Sequence, residues 1–209
     1  VMPGARPFGI PAIADSLDKV IANYGITLHT NSEVTLVDAA SHKVGVTSVG
    51  EGGTDAMLPY DVLHAVPRQS APDWIKRSAL STGDAMGYVD IDKHTMQHVR
   101  YPNVFSLGDA GSSPNSKTGA AIRKQAPVVV ENIDSFLTGR PLRASYDGYS
   151  SCPIVTSSDA MLLAEFDYDF NLKPSFPLLD PVIPHRAYWY LKKYGLPFMY
   201  WNLMLKGLA

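Results

Sequence analysis

The sequence is poor in cysteine: Cys152 is the only one among 209 residues. An internal disulfide framework and a cysteine-rich zinc site are both excluded, and the thiol is either buried, reactive, or half of a pair whose partner lies elsewhere. No uninterrupted apolar run approaches the ~18–20 residues that span a bilayer. Neither sign of charge dominates, with 18 Lys and Arg against 20 Asp and Glu and a formal net charge of -2. A chain without a basic field is a poor nucleic-acid binder, and none is expected here. The Gly-x-Gly-x-x-Gly spacing of a dinucleotide-binding turn occurs nowhere. The chain opens Val-Met-Pro-Gly, without the basic and apolar regions of a secretory leader, and is expected to begin mid-protein.

What is present is an ordinary folding composition, 45% hydrophobic and 18% charged, sufficient for one or two modest domains. Apolar positions at Ile10, Ile13, Ala14, Leu17, Val20 and Ile21 follow one helix face, and Gly25 sits where a helix stops. Short β-branched runs follow at Ile26–His29, Val34–Val37 and Val44–Thr47, which predict a strand and a small meander. Tyr60–Val66 reads as a buried strand stopped by Pro67, and Tyr88–Asp92 and Asn103–Leu107 as two more. Ser116–Leu137 predicts a long helix closed by Gly139, with Pro127 expected to kink it. Together these elements predict an α/β chain.

Asn103-Val104-Phe105-Ser106-Leu107-Gly108-Asp109 ends an apolar strand in a turn that lets a ligand approach the backbone, followed by a carboxylate able to accept from sugar or ribityl hydroxyls. On local sequence it is also an ordinary strand and turn. Over its full context, Tyr101 to Ala110, it resembles the second FAD-binding stretch of flavoprotein disulfide reductases with two dinucleotide-type domains. Asn115-Ser116-Lys117-Thr118-Gly119 then opens the helix, where free N–H groups, the helix dipole and Lys117 face one way. Taken alone, that stretch is a helix cap with a solvated lysine.

Tyr146-Asp147-Gly148-Tyr149-Ser150-Ser151-Cys152-Pro153-Ile154-Val155 and the following Glu165-Phe166-Asp167-Tyr168 resemble the C-terminal region of sulfide:quinone oxidoreductases. The likeness extends back through Tyr60–Pro67 and forward through Pro197–Gly207. It implies part of a two-Rossmann-type flavoprotein with a C-terminal amphipathic helical tail. Residues 1–80 would be the latter part of the second dinucleotide domain, 81–140 the returning segment of the FAD domain, and 141–209 the redox-cysteine and quinone-facing region. The resemblance implies that Cys152 is one half of a redox pair flanking FAD. It further implies that Gly108, Asp109, Lys117, Thr118 and Pro67 contact the cofactor, and that sulfide is oxidised and a quinone reduced. FAD is expected to bind the full-length protein and to be held only weakly by this chain alone. Two rivals stand beside this: a related NAD(P)H:quinone or ferredoxin-type flavin reductase with an incidental cysteine, and a non-catalytic membrane-surface or oligomerisation module.

From His185 onward the chain is unusually aromatic, with Tyr188, Trp189, Tyr190, Tyr194, Phe198, Tyr200 and Trp201. Such a stretch either packs against the body or a second copy in a homodimer, or lies in a membrane interface; the resemblance favours the membrane. Phe166, Tyr168 and Phe198 are the aromatic candidates for quinone contact. The implied location is a membrane surface, the cytoplasmic face in a bacterium or the mitochondrial inner membrane in a eukaryote. No metal is expected. His94 and His98 are spaced as a helical chelating pair, but their context reads as a loop bearing surface histidines. Arg123 and Lys124 read as solvated charges.

Overall fold

The computed structural model describes residues 1–50 and 55–208 and divides into two compact units, Val1–Arg68 and Gln69–Ala209. The expected segments 81–140 and 141–209 fall together in the second unit.

In the first unit, α1 (Pro11–Asn23) begins on a proline, which lacks the N–H a first helical turn leaves unused. It buries Ile13 and Ala14 and stops at Gly25, whose φ of 65° favours a residue without Cβ. Three antiparallel strands follow in the order β1–β2–β3: β1 (Ser32–Asp38), β2 (Lys43–Ser48) and β3 (Asp55–Pro59). Val46 lies opposite Val34 on one side and Ala56 on the other, and Val44 and Val46 are buried.

Two expected strands do not form. Ile26–His29 and Tyr60–Val66 are irregular, and Val62 and Val66 are 90% and 75% exposed. β-Branched residues favour extended backbone, but a strand exists only through neighbours that take its N–H and C=O groups; no strand among the described residues pairs with these segments. Pro67 is exposed and lies in this irregular stretch.

The second unit opens with α2 (Asp73–Lys76) and continues in extended chain held by single bridges: Val89 to Ser81 and Gly111, Ile91 to His98, and Gln97 to Phe105. Val89 and Ile91 are buried as their alternation predicts, yet neither Tyr88–Asp92 nor Asn103–Leu107 becomes a ladder strand. Their pairings stay isolated bridges: three at Val89 and Ile91 in the first segment and one at Phe105 in the second. α3 (Gly119–Leu137) runs through Pro127, which has no N–H for the carbonyl of Arg123 four residues earlier. Its inner face carries Gln125, Val129 and Asn132, packed against a core that includes Met96 and Tyr146. Asn132 donates to the carbonyls of Thr95 (3.0 Å) and Ala144 (2.9 Å), tying α3 to the chain on either side.

β4 (Ser150–Val155) and β5 (Met161–Phe166) form an antiparallel hairpin with every β5 residue buried. α4 (Arg186–Tyr190) packs Tyr188 onto Met161 and Leu163 of β5. A π-turn over Leu191–Gly195 joins it to α5 (Leu196–Asn202). Pro197, which by sequence reads as a break in this aromatic stretch, does not split it into two separate helices. It sits in the first turn of α5, and the wider turn before it absorbs the missing hydrogen bond.

Candidate functional site

Gly108 has a φ of 65° and opens a short 3₁₀ turn, Gly108–Ala110. Its N–H donates to Oε1 of Gln125 at 2.8 Å, and Gln125, fully buried on α3, donates in turn to Asn115 at 3.3 Å. A Cβ at Gly108 would press within 3.1 Å of Ile122, so the turn sits directly against the helix. The arrangement leaves the Asp109 side chain exposed.

Lys117 reaches back to the carbonyl of Gly111 at 2.5 Å and lies over the Tyr88 ring, 4.1 Å from its centroid. Burial lowers its affinity for the proton, and the charge of Asp109 opposes that shift. Thr118 caps α3, its hydroxyl accepting from the Ala121 N–H at 3.2 Å. No acceptor among the described residues takes the N–H of Gly119 or Ala120, and a Cβ on Gly119 would meet open space. A close-approach glycine, an exposed carboxylate, a cation and two free N–H groups at a helix start fit a dinucleotide with hydroxyls and an electron-rich ring. The structure brings four of the five expected cofactor residues together in the second unit; Pro67 belongs to the first.

Cys152 is half-buried on β4 opposite Ala164, beside the N-terminal turn of α3. Burial pushes its thiol above the ordinary range, partly offset by the Ser116 hydroxyl. The thiol lies in the wall of a cavity of about 600 Å³, whose other walls are Thr118–Ala120, Leu163, Phe176 and the inner face of α5 with Met199 and Tyr200. The lining is predominantly apolar, and its polar side chains include Arg123, Tyr149, Glu165 and Ser175. A volume of this size matches a small organic ligand.

The expected aromatic contacts are placed elsewhere. Phe166 is buried and stacked on Phe170; Tyr168 packs edge-on to Tyr146 and donates to the Lys93 carbonyl at 2.6 Å. Phe198 is 61% exposed on the outer face of α5. The aromatic residues that do line the cavity are Tyr149, Phe176 and Tyr200. Alternation along β5 could not reveal this, because both faces of the strand are buried.

Two further expectations are corrected. Arg123 is not a solvated charge: its Nε is buried with no hydrogen-bond partner among the described residues, and the side chain lines the cavity. Its position one turn into α3, just after the capped Thr118–Gly119, was the available signal. His98 is 3% exposed rather than superficial. Its Nδ1 accepts from the N–H groups of Arg100 (3.0 Å) and Tyr101 (3.2 Å), so Nε2 carries the proton donated to the Leu80 carbonyl at 3.1 Å. Both ring nitrogens are used to fold the chain, and no metal-ligating cluster occurs among the described residues.

The fold defines the class, a mixed α/β chain with solved structural neighbours. A chain of the sulfide:quinone oxidoreductase structure from Aquifex aeolicus is similar with a TM-score of 0.70 at 18% identity, over 96% of this chain and 48% of that one. A chain of the Tetrahymena thermophila mitochondrial ATP synthase structure is similar with a TM-score of 0.76 at 21% identity, over 94% and 47%. At these identities the likeness concerns the fold alone. No model of a known protein family matches the sequence.

Sequence similarity narrows the class. The mitochondrial sulfide:quinone oxidoreductases of Dictyostelium discoideum and Mus musculus are 40% and 36% identical over 98% and 96% of this chain. The chain is similar to these sulfide:quinone oxidoreductases over nearly its whole length, and it spans about 44% of the length of these curated relatives.

Proposed function

We infer that this chain supplies half of the flavin site and one redox cysteine of an enzyme that oxidises sulfide and reduces a quinone. The observation that carries the reading is the position of Cys152, in the wall of a mostly apolar 600 Å³ cavity that also holds the free N-terminal turn of α3.

Gly108, Asp109, Lys117 and Thr118 would hold FAD, with Asp109 accepting from its hydroxyls and Lys117 and the α3 N-terminus facing its electron-rich ring. Pro67 is the fifth residue that the resemblance implies for the cofactor. Once a nucleophilic acceptor has taken the persulfide's outer sulfur and left both cysteines as thiols, FAD would supply the two-electron oxidant that re-forms the disulfide and would pass the pair to a quinone. Because Cys152 has no cysteine partner in this sequence, the second thiol comes from outside these residues. Hydrosulfide attacks the disulfide, one sulfur leaving as thiolate while the other becomes a persulfide, so the S–S bond broken is replaced by the S–S bond formed. Cys152 is one of those two sulfurs, and Ser116 is the hydroxyl placed to stabilise its thiolate. Raised by burial, the thiol reacts at neutral pH only when its proton is taken or its sulfur is already in a disulfide.

The C-terminal stretch supports an apolar acceptor delivered from a membrane. Tyr190, Tyr194, Phe198, Trp201 and Leu205 are 53–64% exposed and recur at three- or four-residue intervals, one continuous outer face. The inner face of α5 lines the cavity, so one short amphipathic segment separates bilayer from site. No helix among the described residues is long and apolar enough to cross a membrane. A planar quinone ring would lie against Phe176 and Tyr200, with Phe198 at the interface and Phe166 and Tyr168 supporting the hairpin from behind.

The test uses the full-length FAD-loaded protein. Cys152→Ser should abolish quinone reduction driven by sulfide while leaving the flavin bound. Sulfide-dependent turnover that survives would overturn the thiol role, and turnover with NADH that exceeds turnover with sulfide would favour the NAD(P)H:quinone reductase reading.

A further inference from the structure

We propose that Glu165 delivers protons to the acceptor reduced in the apolar cavity and is recharged through Tyr149 and Ser175 from a second, polar cavity. This rests on the quinone-reducing function inferred above.

Glu165 is only 3% exposed, yet it lines the apolar cavity. Its carboxylate accepts from the Tyr149 hydroxyl, from the Ser175 hydroxyl at 2.6 Å and from the Ser175 N–H at 2.8 Å. It forms no ion pair among the described residues. A buried carboxylate without a cation is a costly way to anchor a loop, since a neutral amide could accept the same bonds. An ionisable group has a use there if the cavity must be supplied with protons.

The supply line is visible on the other side of the wall. A second cavity of about 370 Å³ is lined by Lys124, Asp147 and Lys173 together with Arg123, Tyr149 and Ser175. The last three also line the apolar cavity. The two side-chain hydroxyls that donate to Glu165 therefore belong to residues reached from a polar, solvent-facing space, while the carboxyl itself faces the apolar one. Groups packed around Glu165 come from four elements: Arg123 on α3, Tyr149 ahead of β4, Ser175 in the loop after β5, and Tyr188 on α4. Arg123 is the charged one, and its unpartnered Nε is suited to stabilising an oxyanion that forms before its proton arrives.

The balance closes with the function inferred above. A quinone takes two electrons from the cofactor and two protons from the wall to become a quinol. For each proton, the O–H bond of the Glu165 carboxyl breaks as an O–H bond forms on the quinone oxygen. The carboxylate then takes a proton from the Tyr149 or Ser175 hydroxyl as that hydroxyl takes one from water in the polar cavity. An apolar wall supplies no protons by itself, which is why the one carboxyl in it matters.

The experiment starts from the full-length FAD-loaded protein, reduced anaerobically with dithionite and mixed in a stopped-flow instrument with a short-chain ubiquinone analogue. Glu165→Gln should slow flavin reoxidation by about 100-fold, the scale of a general acid, and Glu165→Asp should recover part of it. The solvent isotope effect on reoxidation should rise in Tyr149→Phe, and the analogue's affinity, read from quenching of intrinsic fluorescence, should stay within about twofold in each variant. Reoxidation at the wild-type rate in Glu165→Gln overturns the proposal. So does loss of analogue binding and thermal stability in step with the rate, because that marks a structural role. If Glu165→Gln does not fold, unchanged reoxidation in both Tyr149→Phe and Ser175→Ala overturns it equally. Failure of sulfide to reduce the wild-type flavin would sink the sulfide-oxidising function instead, and the dithionite route would still report on Glu165.

Discussion

Replacing Gln125 by Leu tests whether the Gly108–Asp109 turn is held by α3. The substitution keeps most of the side-chain volume and removes Oε1, the acceptor 2.8 Å from the Gly108 N–H, together with the amide that donates to Asn115. Gly108 and Gln125 are both buried, so water cannot replace the lost partner. Leaving one buried N–H unsatisfied costs about 1–3 kcal/mol, and losing the second, longer bond adds about 0.5–1 kcal/mol. The sum of roughly 1.5–4 kcal/mol corresponds to a melting-point drop of about 3–16 °C at ~2–4 °C per kcal/mol for a chain of this size. Circular dichroism melts of wild type and Gln125→Leu measure it directly. A Gln125→Leu variant that melts within about 1 °C of wild type would show that the turn does not depend on this bond.

Other outcomes follow from the same geometry. Alkylation of Cys152 in the folded chain by iodoacetamide should still be accelerating with pH above the ordinary thiol value of about 8.5, whereas the unfolded chain levels off there. Because the folded thiol holds its proton more tightly than the unfolded one, this group's share of stability is present below the ordinary thiol value and is lost as pH rises through the folded one. A folded-chain rate that levels off below pH 8.5 would contradict the burial argument. Gly148→Ala should destabilise by about 2–4 kcal/mol in a denaturant melt, since Gly148 has a φ of 89° and the Tyr168 ring occupies the space of its Cβ. The chain should sediment with anionic liposomes, and Phe198→Ser with Trp201→Ser should release it; sedimentation unchanged in that double variant would remove the outer aromatic face as the contact. Flavin titrated into this chain alone should bind weakly, because only part of the pocket is present; tight stoichiometric binding would refute that.

Local patterns carried some of this and long-range packing carried the rest. The helix of α1 and its Gly25 stop are readable from 3.6-residue spacing and a residue suited to positive φ, because both are decided within a few turns of chain. The long helix through Pro127 is readable for the same reason, and so is Gly108 at the end of an apolar run. Tyr60–Val66 has strand composition without strand structure, since composition specifies an extended preference and pairing requires a neighbour. Arg123 and His98 were read as exposed because polar residues usually are. Arg123 shares a cavity wall with Tyr149 and Ser175, and His98 donates to the Leu80 carbonyl 18 residues earlier, relations that no short window contains. The cavity beside Cys152 is the extreme instance: its walls come from residues between Thr118 and Met204, brought together by the hairpin and the C-terminal helices. Phe166, Tyr168 and Phe198 had the right chemistry for its lining, but strand register and helix face turn them elsewhere.

The central claim is that Cys152 is a redox cysteine beside a flavin that accepts electrons from sulfide. Anaerobic titration of the full-length FAD-loaded protein with sulfide, followed at the flavin absorption band, tests it most directly. The wild type should bleach stoichiometrically and Cys152→Ser not at all, with the same flavin content in both. Equal bleaching in the two proteins would contradict it.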